Sequence, residues 1–206
     1  MRTRRFSSAS PTRTDLLRKR TIGSRGRNFV VRRGVFDPEK HLSGVAFADA
    51  LPELAAERLP ERAKVLDLGT GCGLLAAALT EVARTVVATD VSQRAVDVAT
   101  KNLAGLRVEV RAGDLFEPVW GEWFDLVVMN PPYEIGPSDD LTLGSPDLIE
   151  RFGAEVAGFA DRALIGWPAD DGDTLRAASG LRLDEVARIP TAGHDLAIFE
   201  WAAPPT

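Results

Sequence analysis

The segment Lys64–Gly73, "KVLDLGTGCG", decides the fold class. Its first half is a short apolar run typical of a buried strand, and its second half contains Gly69, Gly71 and Gly73. Residues 74–83, "LLAAALTEVA", follow at once and consist mostly of strong helix formers. A buried strand that passes through a tight glycine turn into a helix is the first unit of an open α/β sheet.

The same alternation continues along the chain. Residues 85–90, "TVVATD", predict a second strand, and Ser92 can cap a helix over residues 93–103. Residues 106–114 alternate apolar and charged side chains, as in a strand near a sheet edge, whereas residues 124–130, "FDLVVMN", suit a central strand covered on both faces. Strands that alternate with helices predict a doubly wound, mostly parallel sheet.

The regions outside this central part have weaker patterns. Residues 28–36 predict a short hairpin, and residues 47–59 predict a helix that contains Pro52. The later expected elements are a helix over 145–163, a strand at 164–167, a helix over 173–180, and two strands, 185–190 and 194–201. The last two strands would suit a terminal antiparallel hairpin. No internal repeat and no second domain are indicated.

Composition limits the class of protein. The chain has 206 residues, of which 45% are apolar and 27% charged, and this suits one globular domain. The sequence contains neither a long uncharged apolar run nor an apolar N-terminal segment, so we expect a cytoplasmic protein without a membrane span. Cys72 is the single cysteine, and His41 and His194 are the two histidines. We therefore expect neither an internal disulfide nor a structural metal.

Positive charge is concentrated at the N-terminus. Residues 1–34 contain eleven Arg and Lys residues and one acid, whereas the whole chain carries a net charge of −5. We therefore separate a basic extension over residues 1–34, which could be mobile, from a domain over residues 35–206. The extension could steer the protein to RNA, a ribosome or an acidic partner, and its composition also resembles an organelle transit peptide. A solvated tail without a function is the alternative.

Three acids lie close to the carboxyl ends of the expected strands, where open α/β sheets bind their ligands. Asp67 could orient the glycine loop or meet a cationic part of a ligand. Asp90 ends the second strand, where an acid suits the two hydroxyls of a ribose. Asp114 could accept a hydrogen bond from an adenine amino group, with Leu115 against the ring. The loop alone also fits a dinucleotide site or a packing turn, and each acid alone could be a turn residue or helix cap.

The fourth expected strand ends in the tetrapeptide Asn130-Pro131-Pro132-Tyr133. The prolines stiffen the backbone, so that the side-chain oxygen of Asn130 and the backbone oxygen of Pro131 form a rigid pair of acceptors. A planar NH₂ group could donate to both oxygens and stack on Tyr133. This geometry suits methylation of an amide or aromatic amine, because acceptors stabilise the positive charge that develops on the nitrogen. A strand-ending turn without chemistry is the alternative.

At this point the sequence resembles class I S-adenosylmethionine-dependent methyltransferases, over about Val35 to Trp201. The motifs that carry the resemblance are "VLDLGTGCG", "TDVS", "AGDLF" and "FDLVVMNPPY". Within these enzymes the chain looks like the short HemK-type glutamine methyltransferases of release factors and the related methyltransferase small domain proteins. The resemblance implies that residues 35–206 form a Rossmann-like, doubly wound, mostly parallel seven-stranded sheet with a C-terminal antiparallel hairpin.

The resemblance also implies S-adenosylmethionine as the cofactor. The implied cofactor contacts are Asp67, Gly69, Thr70, Gly71, Cys72, Gly73, Asp90, Val91, Asp114, Leu115 and Asn130. The implied catalytic residues, which would hold the acceptor nitrogen, are Asn130, Pro131 and Tyr133.

Four hypotheses for the function remain at this stage. The leading one is methylation of a glutamine side chain in a protein. The second is methylation of an exocyclic base amine in RNA, with the basic extension as docking element, although the acidic body of the chain disfavours it. The third is a small amine or guanidine metabolite attracted by Glu134, Asp139 and Asp140. The fourth is a catalytically silent partner of another methyltransferase, which the intact glycine loop disfavours.

Overall fold

A computed structural model of the chain describes residues 19–38, 43–133 and 147–204. The strands of this part are β1 (Lys19–Ser24), β2 (Arg27–Arg32), β3 (Lys64–Leu68), β4 (Thr85–Asp90), β5 (Val108–Ala112), β6 (Leu126–Met129), β7 (Arg162–Pro168), β8 (Asp184–Ile189) and β9 (Leu196–Ala202). The α-helices of the same ranges are α1 (Ser43–Ala56), α2 (Leu74–Leu79), α3 (Gln93–Asn102), α4 (Leu148–Glu155) and α5 (Gly172–Ser179).

The strands from β3 onward form one sheet in the order β5-β4-β3-β6-β7-β9-β8. The five strands β3 to β7 are parallel to one another within the described part of the chain. Strand β9 pairs antiparallel with both β7 and β8. The predicted Rossmann-like, seven-stranded sheet with a C-terminal antiparallel hairpin is therefore confirmed.

The central strand β6 is covered on both faces, as its apolar sequence predicts. Leu126 and Val128 belong to the apolar core on one face of the sheet, and Val127 and Met129 belong to the core on the other. All four side chains are buried. Strand β5, in contrast, lies at the sheet edge, and each of its residues is either half-buried or exposed. The contrast between apolar and alternating sequences thus predicts the positions of these strands correctly.

Helix boundaries agree less closely with the sequence patterns. The side chain of Ser92 caps α3 by accepting a hydrogen bond from the Ala95 amide, as predicted. The helix predicted over residues 74–83 is wrong at its end, because α2 stops at Leu79 and the chain turns to enter β4. The helix predicted over residues 145–163 is too long. Within the described residues the α-helix is α4, which ends at Glu155, and Arg162 already belongs to β7. No helix of the described ranges is long and apolar enough to cross a membrane.

The basic extension contains an ordered hairpin that the sequence analysis misplaced. The hairpin was predicted over residues 28–36, whereas β1 and β2 pair over Lys19–Ser24 and Arg27–Arg32. Ile22 and Phe29 face the domain and join its apolar core, which no pattern of charge could indicate. Nε and Nη2 of Arg25 donate to the two carboxylate oxygens of Glu81, each at 2.6 Å, and this fastens the hairpin to the turn that follows α2. The domain boundary expected at residue 34 thus lies after a hairpin that packs on the domain. Residues 1–18 lie outside the described residues.

We expect Gly153→Ala to destabilise the fold by about 1–3 kcal/mol, because α4 and α5 approach too closely for a larger residue. A methyl group at Gly153 would lie 1.9 Å from the Ser179 carbonyl oxygen. Gly158→Ala is the matched control, since a methyl group there meets no described atom within 4 Å. Urea unfolding of both variants measures the difference. Equal free energies of unfolding for the two variants would contradict this packing.

Candidate active site

A cavity of about 340 Å³ opens at the carboxyl ends of the parallel strands. Its walls include residues 69–72 after β3, 90–92 at the end of β4, 113–115 after β5 and 130–132 after β6. The volume lies within the range of roughly 300–1,000 Å³ that is usual for ligand sites. The doubly wound topology thus brings four distant segments to one cavity, at the position where open α/β sheets bind ligands.

The glycine loop after β3 is held by backbone hydrogen bonds. The amides of Gly69 and Thr70 both donate to the carbonyl of Thr89, at 2.9 and 2.8 Å. Gly69 and Gly71 have φ angles of 76° and 58°, which glycine adopts without strain. A methyl group added at either position would meet no described atom within 4 Å, so the backbone here borders open space. The loop therefore leaves room for close approach of a ligand.

Asp67 lies behind this loop rather than at the strand end where the sequence analysis placed it. It is a completely buried residue within β3. Its Oδ2 accepts hydrogen bonds from the Thr70 hydroxyl at 2.6 Å and from the Ala76 amide at 3.0 Å. Its Oδ1 has no hydrogen-bond partner among the described residues. Asp67 thus orients the loop, and its expected contact with a cofactor stays a prediction.

Burial changes the acidity of Asp67. Removal from water raises the pKa of this carboxyl to about 7, while the hydrogen bonds from Thr70 and Ala76 act in the opposite direction. The nearby charge of Asp90 raises the pKa further, as the smallest of these effects. Asp67 therefore changes its charge close to neutral pH, whereas an ordinary aspartate does so near pH 4.

Asp90 faces the cavity at the end of β4. Its Oδ2 accepts from the Gly71 amide at 2.8 Å, and its Oδ1 accepts from the Ser92 amide at 2.9 Å. The pKa of Asp90 is raised, because the effect of burial exceeds the opposite effect of these two hydrogen bonds. Each carboxylate oxygen has a second lone pair, so a ligand with two hydroxyls can still donate to it. Val91, which is 53% exposed, continues the same wall.

Asp114 and Leu115 form the wall beyond β5. Leu115 is buried and has a positive φ of 42°, which is uncommon for leucine and turns the chain sharply at the cavity. Oδ2 of Asp114 accepts from Nη2 of Arg151 at 2.5 Å. Arg151 belongs to α4 and also lines the cavity, but the sequence analysis missed it. Its position depends on helix packing, for which its local sequence carries no signal.

Asn130 follows β6, and its side chain lies between two glycines. A methyl group added at Gly166 would lie 2.7 Å from Oδ1 of Asn130, and one added at Gly44 would lie 3.9 Å from Nδ2. Oδ1 is buried and has no hydrogen-bond partner among the described residues. Rotation of the carboxamide by 180° would exchange the positions of its oxygen and nitrogen. The site therefore contains a polar group whose hydrogen-bonding capacity is unused within the described chain.

Tyr133 is positioned by contacts that the sequence analysis missed. Its hydroxyl lies 3.1 Å from Nε2 of His194, in the turn between β8 and β9. Its ring meets the rings of His194 and Trp167 edge to face, with centroid distances of 5.4 and 6.1 Å. Because these residues are far apart in the chain, neither periodicity nor a local motif could predict the contacts.

Most of the expected site residues come together at the cavity. Those that line it are Gly69, Thr70, Gly71, Cys72, Asp90, Val91, Asp114, Leu115, Asn130 and Pro131. Within the described residues, Asp67, Gly73 and Tyr133 lie outside this lining. Glu134, Asp139 and Asp140 lie outside the described residues. Across the described ranges, no group of three or more His, Cys, Asp or Glu residues could hold a metal ion.

We expect Asp67→Asn to change how stability depends on pH. The pKa of about 7 in the folded protein exceeds that of an ordinary aspartate, about 3.9, so burial of the ionised carboxylate costs stability as pH rises from about 4 to 7. The asparagine variant lacks this cost. The free energy of unfolding of the wild type should therefore fall relative to that of Asp67→Asn by up to roughly 4 kcal/mol over this range. Urea unfolding at several pH values measures it, with the exposed Asp97→Asn as control. Parallel pH profiles for wild type and Asp67→Asn would contradict the burial of a titrating carboxyl.

Comparison with known proteins places the chain in a family. The model of the family described as "Methyltransferase small domain" matches residues 28–151. The release factor glutamine methyltransferase of Geobacter sulfurreducens is 38% identical over 129 residues, which cover 61% of this chain and 43% of that protein. The ribosomal protein uL3 glutamine methyltransferase of Bordetella pertussis is 31% identical over 188 residues, which cover 87% and 59%. The chain thus spans about half the length of these relatives.

Solved structures agree with the fold. A 16S ribosomal RNA methyltransferase of T. thermophilus, solved in complex with AdoMet and guanosine, has a TM-score of 0.66 and 20% identity. The match covers 95% of this chain and 53% of that structure. At this identity the likeness supports the Rossmann-like fold alone. Because the family model matches more than half of the sequence, the chain belongs to the methyltransferase small domain family.

Proposed function

We propose that the cavity binds S-adenosylmethionine and that the protein is an N-methyltransferase. The cofactor supplies an electrophilic methyl group on a positively charged sulfur. Asp90 would accept the two ribose hydroxyls, and Asp114 with Leu115 would hold the adenine ring. The open backbone at Gly69 and Gly71 supports this fit, because it leaves space for a ligand against the loop. The family and the cavity volume support the same assignment.

We propose a planar amide or amine nitrogen as the methyl acceptor, most specifically a glutamine side chain of a protein. The observation that carries this proposal is the buried Asn130 oxygen without a partner among the described residues, beside the cavity at the end of β6. Turned toward the cavity, this oxygen and the Pro131 carbonyl would accept both protons of an NH₂ group. They would thereby stabilise the positive charge that develops as the nitrogen attacks.

Tyr133 would fix the orientation of the acceptor group by stacking against it. Its ring is held in place, because its hydroxyl lies 3.1 Å from Nε2 of His194 and the ring packs edge to face with Trp167 and His194. A flat amide or amine can stack on such a fixed ring, whereas a tetrahedral ammonium group cannot stack in this way. Orientation of the nitrogen in line with the methyl group then supplies most of the acceleration.

The named relatives favour a protein substrate over the other acceptors. One acts by its name on release factors and another on ribosomal protein uL3, and both names specify glutamine. Incubation with a labelled methyl donor, followed by mass spectrometry of protein, RNA and metabolite fractions, tests the substrate class. Label on a glutamine side-chain nitrogen is expected. Label confined to RNA or metabolites would contradict the glutamine assignment while leaving the cofactor assignment in place.

An exocyclic base amine in RNA is the second candidate. The basic residues at positions 1–34 favour it, and the structurally similar T. thermophilus enzyme was solved with guanosine. Glu134, Asp139 and Asp140 were expected to attract a small metabolite, and this third candidate has no support from the described cavity. We also propose, from the sequence alone, that the protein acts in the cytoplasm and that residues 35–206 carry the activity.

We expect Asn130→Ala to lower turnover on the order of 100-fold or more, because the variant loses a preorganised acceptor beside the attacking nitrogen. Affinity for S-adenosylmethionine should change little, since the loop and Asp90 are untouched. Methyl transfer and calorimetric titration measure the two effects separately. Asn28→Ala, at an exposed asparagine on β2, is the control. Unchanged turnover in Asn130→Ala would remove the proposed role of the tetrapeptide.

A further inference from the structure

One wall of the cavity is formed by the chain that leaves the basic hairpin. Residues 34–36, which begin two residues after the end of β2, line the same cavity as the glycine loop. Val35 is buried, and its amide donates to the Arg32 carbonyl at 3.0 Å. The position of this wall therefore depends on where the hairpin docks.

The side chain of Asn102, the last residue of α3, connects the hairpin to the glycine loop. Its Oδ1 accepts from the Val30 amide at 2.9 Å, and its Nδ2 donates to the Val30 carbonyl at 2.9 Å. The same Nδ2 donates to the carbonyl of Cys72 at 2.8 Å. A single carboxamide thus satisfies both backbone groups of Val30, as a neighbouring strand would, and also holds the loop.

Helix α3 makes two further contacts that belong to the same connection. At its first turn, Nη1 of Arg94 donates to the carbonyl of Arg33 at 2.9 Å, one residue before the cavity wall begins. Beyond its last turn, Leu103 packs so closely on Gly73 that an added methyl group would lie 2.9 Å from it. The helix therefore holds the hairpin exit at one end and the glycine loop at the other.

We propose that Asn102 is a positioning residue of the cofactor site. Its side chain couples docking of the basic hairpin to binding in the cavity. A ligand held between the loop and residues 34–36 stabilises both in their mutual arrangement, and Asn102 joins the two. Linkage is reciprocal, so binding in the cavity must also hold the hairpin more firmly. This inference rests on the proposed function for the identity of the ligand, S-adenosylmethionine.

A purely structural role for Asn102 predicts a different result. The hydrogen bonds of Asn102 would then add to overall stability without any dependence on the ligand. Coupling instead requires that the ligand protect the hairpin, which lies on the far side of Asn102 from the loop. Hydrogen exchange of the backbone amides of residues 19–32 distinguishes the two roles, because it reports local opening of the hairpin.

The experiment combines exchange with calorimetry on the full chain. In the wild-type protein, saturating S-adenosylmethionine should slow amide exchange in residues 19–32, most clearly at Val30. Asn102→Ala should bind S-adenosylmethionine about tenfold more weakly, because hydrogen bonds to the hairpin and loop are lost. In this variant the ligand should no longer slow exchange in the hairpin. Lys101→Ala, an exposed neighbour on α3, is the matched control and should behave as wild type.

The outcomes separate the inference from the proposed function. No binding of S-adenosylmethionine to the wild-type protein would overturn the proposed function, and the inference with it. Binding without any change of exchange in residues 19–32 would overturn the inference alone, and this measurement needs no variant. Binding of S-adenosylmethionine to Asn102→Ala with wild-type affinity would also overturn the inference alone. Asn102→Asp, which keeps the acceptor for the Val30 amide but loses both donated bonds, should also weaken binding.

Discussion

A buried carboxylate in β3 is the interaction on which the site depends. One oxygen of Asp67 holds the hydroxyl of Thr70 and the amide of Ala76, so a single group joins the strand, the loop and the start of α2. Burial of this acid is unfavourable, as its raised pKa indicates. The buried acid keeps the loop in one shape, and a loop that is already shaped costs less to order when a ligand binds.

Parallel topology supplies the rest of the geometry. Strand ends that lie far apart in sequence meet at one edge of the sheet, and this brings Asp90, Asp114 and Asn130 to the same cavity. Asn130 follows a strand that is buried on both faces, so its backbone has little freedom. Small residues complete the arrangement, because Gly166 leaves the space that the Asn130 carboxamide occupies. The side chains of Asp90, Asp114 and Asn130 therefore lie at or just after the ends of packed strands.

The sequence predicts those features that depend on local pattern. Alternation of strands and helices predicts the sheet, and acids or amides at strand ends predict Asp90 and Asn130 as cavity residues. It does not predict Arg151 or His194, because their contacts with Asp114 and Tyr133 join segments that are distant along the chain. Helix propensity also fails at the end of α2, where helix-forming residues continue but the chain must turn toward β4. In each failure tertiary packing decides what local sequence leaves open.

Calorimetric titration of the protein with S-adenosylmethionine tests the central claim, that the cavity is a cofactor site, most directly. We expect binding at one site per chain and a large loss of affinity in Asp90→Ala, because Asp90 provides the carboxylate acceptors at the end of β4. Asp97→Ala, at an exposed acid on α3, should bind as wild type does. The absence of binding to the wild-type protein, or equal affinity in Asp90→Ala, would contradict the account.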